Sequence, residues 1–318
     1  MPKLWTATYR CFALVLLACL SAAPAEAQTR TKVNLMYTAV SAYLSAFVAK
    51  DQGFFEKRGL DVELTLAANG SVIAAAVESG SAQIGTPTPS VFVQGADGGL
   101  DQVALAATNV HPDTTKSGIL ARTGLEIKTA QDFVGKKVGV PGLGGLLDVI
   151  FRKWLTDNGV DYKRVTYVET SFPQMSDLLK AGQIDAVVAV DPFFGRIIAQ
   201  NTGYLVAEHT RSLPAGTVLS VFSAKGSWVK ANPDAVKAFQ AAIAEANTFI
   251  KANPGPSRDS VAKYTKLPPP VVAGMAIPNV EAKLTPDQLK FWIEVCKSQG
   301  LITGTPDPAK LVVPWTGG

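Results

Sequence analysis

Glu78-Ser-Gly-Ser-Ala-Gln-Ile-Gly85 and Lys180-Ala-Gly-Gln-Ile-Asp-Ala186 are two versions of one pattern, and their relation decides the fold. Gly80 aligns with Gly182 and Gln83 with Asp185. Upstream, Arg58-Gly-Leu-Asp61 corresponds to Asn158-Gly-Val-Asp161. Val62-Glu-Leu-Thr-Leu-Ala-Ala68 and Val165-Thr-Tyr-Val-Glu-Thr170 fill matching places, each followed by a helical stretch. Ahead of them stand a strand at Lys32–Tyr37 with a helix at about 41–57, and a strand at Lys137–Val140 with a helix at about 144–157. Each half therefore reads strand–helix–strand–helix–strand, with Gly59 and Gly159 stopping helices at their C-termini. The ordered match of several glycines points to a duplicated lobe.

Such alternation predicts an α/β protein of two lobes, each a mainly parallel sheet flanked by helices with right-handed crossovers. Gln102–Asn109 reads as a fourth strand of the first lobe. Ser117–Arg122 and Thr217–Ala224 are extended stretches flanking the second repeat, and they form a two-strand hinge between lobes. The expected boundaries are 1–27 for a leader, 28–116 for the first part of lobe 1, 117–222 for lobe 2 with the hinge crossings, and 223–318 for the return to lobe 1. Asn232-Pro233 reads as an N-cap followed by proline at the first helical position. Thr285-Pro-Asp-Gln288 reads as a capping box for a last helix ending at Gly300. These C-terminal helices are expected to pack on the first lobe.

The first 27 residues have the form of a secretory leader. Lys3 and Arg10 supply the positive start, Phe12–Ala18 is an apolar run too short to span a bilayer, and Ala25-Glu26-Ala27 is a small-x-small cleavage site ahead of Gln28. A second reading ends the leader at Leu16-Leu17-Ala18-Cys19, with Cys19 lipidated. Loss of Lys3, Arg10 and Glu26 takes the net charge from +4 to +3, too mild and scattered for a nucleic-acid surface. Cys11 and Cys19 lie in the leader, so Cys296 remains without an internal disulfide partner. An exported chain without disulfides needs a large core, and a hydrophobic content of 47% can supply one.

In open α/β sheets, ligands bind beyond the carboxyl ends of the strands. The duplication places three such loops in each lobe: Tyr37–Tyr43, Asn69–Ser71 and Thr86–Ser90 in the first, and Pro141–Leu146, Thr170–Gln174 and Val190–Phe194 in the second. Two lobes joined by two crossings would face these loops across a cleft that closes by hinge motion. The candidate ligand contacts are Tyr37, Thr38, Tyr43, Asn69, Ser71, Thr86, Thr88, Ser90 and Asn109 from the first lobe. From the second they are Gly144, Gly145, Thr170, Ser171, Phe172, Asp191 and Phe193. Each has a plainer reading. Ser and Asn before helices serve as caps, Asp191-Pro192 suits an N-cap, and Tyr37, Tyr43, Phe172 and Phe193 suit a core. Their joint position at strand ends favours a pocket.

Enzyme chemistry finds little material. Val138-Gly-Val-Pro-Gly-Leu-Gly-Gly145 follows a strand and precedes a helix, but Leu147 stands where a dinucleotide fingerprint needs its third glycine. His111 and His209 are the only histidines and have no metal-ligand spacing. A G-x-S-x-G elbow is missing from the sequence. Cys296 lies on an amphipathic helix and reads as a buried thiol. The reading is a binding protein without catalytic residues, metal or cofactor. The competing reading is an exported lyase or synthase on the same fold.

Asp51-Gln-Gly-Phe-Phe-Glu-Lys-Arg-Gly-Leu-Asp-Val-Glu63 resembles a signature of the nitrate/sulfonate/taurine-type periplasmic binding proteins, a group that includes binders of thiamine-pyrimidine precursors. The resemblance continues through Gly80–Gly85, Asp132–Gly139, Leu179–Asp185, Asp191–Phe193 and Asn232–Phe239, and covers nearly all of the chain after the leader. It implies the two-lobe periplasmic binding protein fold and capture of a small solute, as a monomer, for the permease and ATPase subunits of an ABC importer. The family's eukaryotic relatives that synthesise the thiamine pyrimidine carry a cysteine-rich segment that this chain lacks.

The six strand-end loops contain neither Arg nor Lys. Nearby, only Lys116 and Arg122 at the first crossing carry fixed positive charge. Phosphate and dicarboxylate sites use paired guanidinium groups. The expected ligand is thus a small organic molecule with at most one strong negative charge, such as a sulfonate, an aromatic carboxylate or a pyrimidine precursor. The backbone N–H groups of Gly144–Leu146 are its expected anion seat.

Overall fold

A computed structural model describes residues 30–317, apart from the side chains of Ser71, Pro269 and Pro270. The leader, with its cleavage site and the alternative at Cys19, lies outside the described residues. Residues from Thr31 onward form one compact unit. In chain order its elements are β1 (Thr31–Tyr37), α1 (Leu44–Asp51), β2 (Leu60–Leu66), α2 (Gly70–Ser79), β3 (Ile84–Gly85), α3 (Pro89–Asp97), β4 (Gln102–Val110) and β5 (Ser117–Arg122). Then follow β6 (Lys137–Val140), α4 (Leu146–Asp157), β7 (Thr166–Glu169), α5 (Met175–Lys180), β8 (Ala186–Val190), α6 (Phe193–Ala199), β9 (Gly203–Ala207) and β10 (Val218–Lys225). The C-terminal part carries α7 (Gly226–Ala231), α8 (Pro233–Ala252), α9 (Pro254–Thr265), α10 (Pro269–Ala273), α11 (Asp287–Ser298) and α12 (Pro308–Leu311).

The strands form two five-stranded sheets with the same internal order, β2-β1-β3-β10-β4 and β7-β6-β8-β5-β9. The duplication is visible bond by bond. Gln83 accepts the Asn34 N–H through its side chain at 2.8 Å, and Asp185 accepts the Lys137 N–H at 2.9 Å. Gly59 and Gly159 both sit at φ 76°, and Gly80 and Gly182 at 79° and 69°, each closing a helical turn in the left-handed region that L side chains resist.

Each sheet is parallel except for its fourth strand. That strand, β10 in the first sheet and β5 in the second, arrives from the other sheet. Parallel strands end at the cleft, whereas a crossing strand begins there, so it must run the other way. Ser117 accordingly pairs with Val190 at the end of β8, and Val218 with Val110 at the end of β4. The outer edge of β4 is occupied by bonds from Val110 N–H to Asn279 and from Val313 N–H to Ala104. That leaves no free edge on β4 for pairing with another chain.

The C-terminal helices divide their packing. On α8, Val236, Phe239, Ile243, Ala246 and Ile250 are buried at helical spacing, and Phe239 stacks on Phe55 at 5.7 Å. This helix covers the first sheet, as expected. Helix α11 does not stay on that lobe. Its Leu289, Trp292, Ile293 and Cys296 join one core cluster with Phe92 and Val93 of α3 and with Val149 and Ile150 of α4. Trp292 is fully buried and donates from Nε1 to the Val218 carbonyl at 2.8 Å. The amphipathic stripe of α11 is wide enough to seal both lobes at once. Two caps also differ in detail. Asn232 donates its side chain to the Trp228 carbonyl, closing α7 rather than capping α8. Gln288 reaches back to the Thr285 N–H at 2.8 Å, which is the returning half of a capping box.

Candidate functional site

A cavity of about 680 Å³ opens between the two sheets. Loops at the carboxyl ends of β1, β2 and β3 form one wall, and those after β6 and β7 with the end of β8 form the other. The connectors entering the two crossing strands, 111–117 and 208–211, close the side between them.

Of the residues singled out in the sequence, Thr38, Tyr43, Asn69, Thr86, Thr88, Asn109, Gly145, Ser171 and Phe172 line this cavity. Their local bonds explain their placement. Tyr43 donates its hydroxyl to the Thr86 carbonyl at 3.2 Å, and Thr86 donates to the Met36 carbonyl at 3.1 Å, tying the first helix entry to the ends of β1 and β3. Asn69 caps α2 by accepting the Val72 N–H through Oδ1 and lines the cavity from there. Phe172 stacks on Phe193 at 5.4 Å. The Asn109 amide is already engaged by Thr108 and Asp113.

Tyr37, Ser90, Thr170, Asp191 and Phe193 stand off the wall. Tyr37 is a core residue, edge-on to Phe47 at 4.9 Å and bonded to the Tyr264 carbonyl. Ser90 is fully buried behind Thr88, 3.2 Å from its hydroxyl. Thr170 is buried and turned back onto the Val168 carbonyl, and Phe193 supports Phe172 from behind. Asp191 is buried and accepts N–H bonds from Lys116 at 3.2 Å and Gly195 at 3.3 Å, and burial pushes its pKa up. Ser71 begins the second residue of α2, and its side chain lies outside the described set.

Gly144 corrects the expected anion seat. Its N–H donates to the Asp148 carboxylate at 2.7 Å, and its carbonyl accepts Gln94 Nε2 at 2.8 Å. Asp148 has no exposed side-chain surface and takes a two-pronged bond from Arg152 at 2.8 and 2.6 Å. Burial raises the Asp148 pKa even so, opposed by Arg152 and the Gly144 N–H. A carboxylate therefore already sits at the start of α4, where a ligand anion was expected.

Lys116, which the sequence reading places near the site as a fixed positive charge, lines the wall, and several wall residues escaped that reading: Gln94, His111, Asp113, Glu169, Glu208 and Arg211. Most belong to the connectors ahead of β5 and β10. A crossing strand that begins at the cleft forces its preceding connector along the cleft, which is the signal that could have found them. Arg122 moves the other way. It faces Asp185 at 3.8 Å and lines a separate shallow pocket. Arg211 is 81% exposed and pairs with Glu208 at 2.6 Å. Asp113 accepts from Asn109 and from the N–H groups of Thr115 and Asn279. His111 has its pKa lowered by burial, with Asp113 opposing. Two cations against three carboxylates leave the wall one negative charge in excess, a poor setting for a dianion.

The described residues contain no group of three or more metal-ligating side chains. Cys296 is buried and its thiol is pushed up to about 12, so it holds no thiolate near neutral pH.

The family described as NMT1/THI5 like matches residues 41–257, more than half of the chain. The chain belongs to the NMT1/THI5-like family. Within reach of this NMT1/THI5-like chain is a Brucella abortus protein named as a candidate binding protein, 31% identical over 222 residues, spanning 69% of this chain and 67% of that one. The nitrate/nitrite binding protein NrtA of Nostoc is 26% identical over 247 residues, covering 72% of this chain and 56% of its own. Among solved structures, the alkanesulfonate-binding protein SsuA from Xanthomonas axonopodis pv. citri bound to MOPS aligns with a TM-score of 0.74 at 19% identity, over 89% of this chain and 98% of that one. The periplasmic nitrate-binding protein NrtA from Synechocystis gives 0.76 at 18%, over 88% and 84%. At these identities the likeness is one of fold, the two-lobe fold of periplasmic binding proteins.

Proposed function

We propose that this chain is a solute-binding protein that captures one small organic molecule between its lobes and presents it, unchanged, to the permease and ATPase of an ABC importer. The observation that carries this is the cavity itself, walled by equivalent strand-end loops of two duplicated sheets. A ligand there touches both lobes and favours the state in which they close. The wall mixes Thr, Ser and Asn with Tyr43, Leu143, Leu146, Phe172 and Leu219, which suits an organic body with a few polar points. With one negative charge already in excess, the ligand carries at most one of its own: a sulfonate, an aromatic carboxylate or a pyrimidine-type molecule. The protein works as a periplasmic monomer after cleavage behind Ala27, and it is not an enzyme.

The test is a thermal-shift screen of the mature chain against those three classes, followed by mass spectrometry of the recovered ligand. A cognate ligand at 100 times its Kd adds about 2.7 kcal/mol of stability. One molecule per chain, released unaltered, is the expected result. Product that accumulates in proportion to purified protein would instead make the chain an enzyme.

A further inference from the structure

The charges that face the cavity are not equally available. Asp113 is held by three donors. Arg211 is held by Glu208. Lys116 lines the cavity, and among the described residues its ammonium has neither a carboxylate within 4.0 Å nor a hydrogen bond. Its backbone, in contrast, is fixed. The Lys116 N–H donates to Asp191 Oδ2 at 3.2 Å, the Asp191 N–H donates to the Lys116 carbonyl at 2.8 Å, and Asp191 Oδ1 accepts the Gly195 N–H at the start of α6. A buried carboxylate between two elements of the second lobe thus clamps the residue that precedes the crossing strand β5. Lys116 therefore sits at the entry of a crossing strand, between the lobes and on the cavity wall, with its backbone fixed to the second lobe.

We infer that Lys116 selects the charge of the ligand, pairing with a single anionic group, and that Asp191 is its positioning residue. This rests on the solute-binding reading. It goes further by assigning the discrimination between monoanionic and neutral ligands to one side chain. A flexible ammonium acts as a point charge and does not impose the forked geometry that a guanidinium would, so it accepts a carboxylate or a sulfonate.

Isothermal titration of the mature chain with MOPS and benzoate as monoanions, and with benzamide as a neutral counterpart, tests the inference. Lys116→Gln should weaken the monoanions by about 10- to 100-fold, the range for a hydrogen bond to a charged group. Benzamide binding should fall far less than that of the monoanions, and Lys116→Arg should restore most of the loss. The salt dependence of benzoate binding should flatten in Lys116→Gln. Asp191→Asn should narrow the benzoate-to-benzamide ratio in the wild-type background and leave it unaltered in the Lys116→Gln background, a readout that a fold defect would not produce. Unchanged monoanion affinity in Lys116→Gln, or a wild-type preference for benzamide, overturns the assignment while the solute-binding reading stands. Conversion of a probe to product overturns the reading itself.

Discussion

His209 shows how little of a residue's behaviour its neighbours in sequence reveal. Glu208, Thr210 and Arg211 reach the cavity, yet His209 between them is wholly buried, and its ring has no more than a marginal hydrogen bond to the Leu147 backbone. Burial, opposed by the backbone of Leu147, holds its pKa at about 4 against an ordinary 6.5. The unfolded chain therefore takes up the proton first as pH falls. The neutral imidazole contributes stability that is complete above about 6.5 and is lost on the way down to 4, on the order of 3 kcal/mol. Urea unfolding at pH 7 and pH 4.5 should show this loss in the wild-type chain and a smaller one in His209→Leu. Equal pH dependence in the two chains would clear His209 of the effect. Asp191 makes a related point. The sequence offered a ligand contact or a helix cap, and the side chain is committed to the Lys116 and Gly195 N–H groups, because only folding brings β5 beside β8.

At the scale of elements, most strands were legible, while β9 and the connectors were not. Strands β1, β6, β4, β5 and β10 announce themselves as short apolar runs with β-branched residues, and the repeat pairs the two halves. The connectors at 111–117 and 208–211 have no periodicity, so nothing local marks them as cavity wall. The loop Pro141–Gly145 was legible as a ligand-facing helix entry, but what holds it was not. Asp148 reads as an ordinary first-turn acid, and its burial depends on Arg152, which in turn lies over the Tyr167 ring at 4.8 Å and the Tyr162 ring at 5.5 Å. Removing one partner strands the other. Arg152→Met should cost on the order of 3 kcal/mol by leaving a buried carboxylate unpaired. The double variant Asp148→Leu/Arg152→Met should recover much of that stability yet bind ligand more weakly, since the Gly144 N–H loses its anchor. Chemical denaturation and titration of the three proteins separate these outcomes. A double variant as unstable as Arg152→Met would show that the pair itself is not the cause.

For the molecule as a whole, two crossing strands are only part of the connection between lobes. The core of α3, α11 and α4 is continuous across them, and Gln299, just past α11, donates to the Val149 carbonyl of α4 at 2.8 Å while its own carbonyl accepts the Tyr162 hydroxyl at 3.1 Å. Lobe rotation must then pivot about this seam, since a packed interface shifts between discrete arrangements more readily than it stretches. Gln299 does not line the cavity, so its replacement acts on the ligand only through the balance of open and closed states. If the binding-competent state is populated as a fraction of the whole, the apparent Kd rises as that fraction falls. Gln299→Ala should loosen α11 from α4, widen the ligand-free particle in small-angle scattering and weaken binding several-fold. The ligand-saturated particle should keep the wild-type radius, because the ligand then supplies the bridge. Wild-type protein should contract on saturation. A wild-type radius that ignores ligand would place the ligand on one lobe alone, and a Gln299→Ala protein with unchanged radius and affinity would leave the two crossing strands as the whole of the hinge.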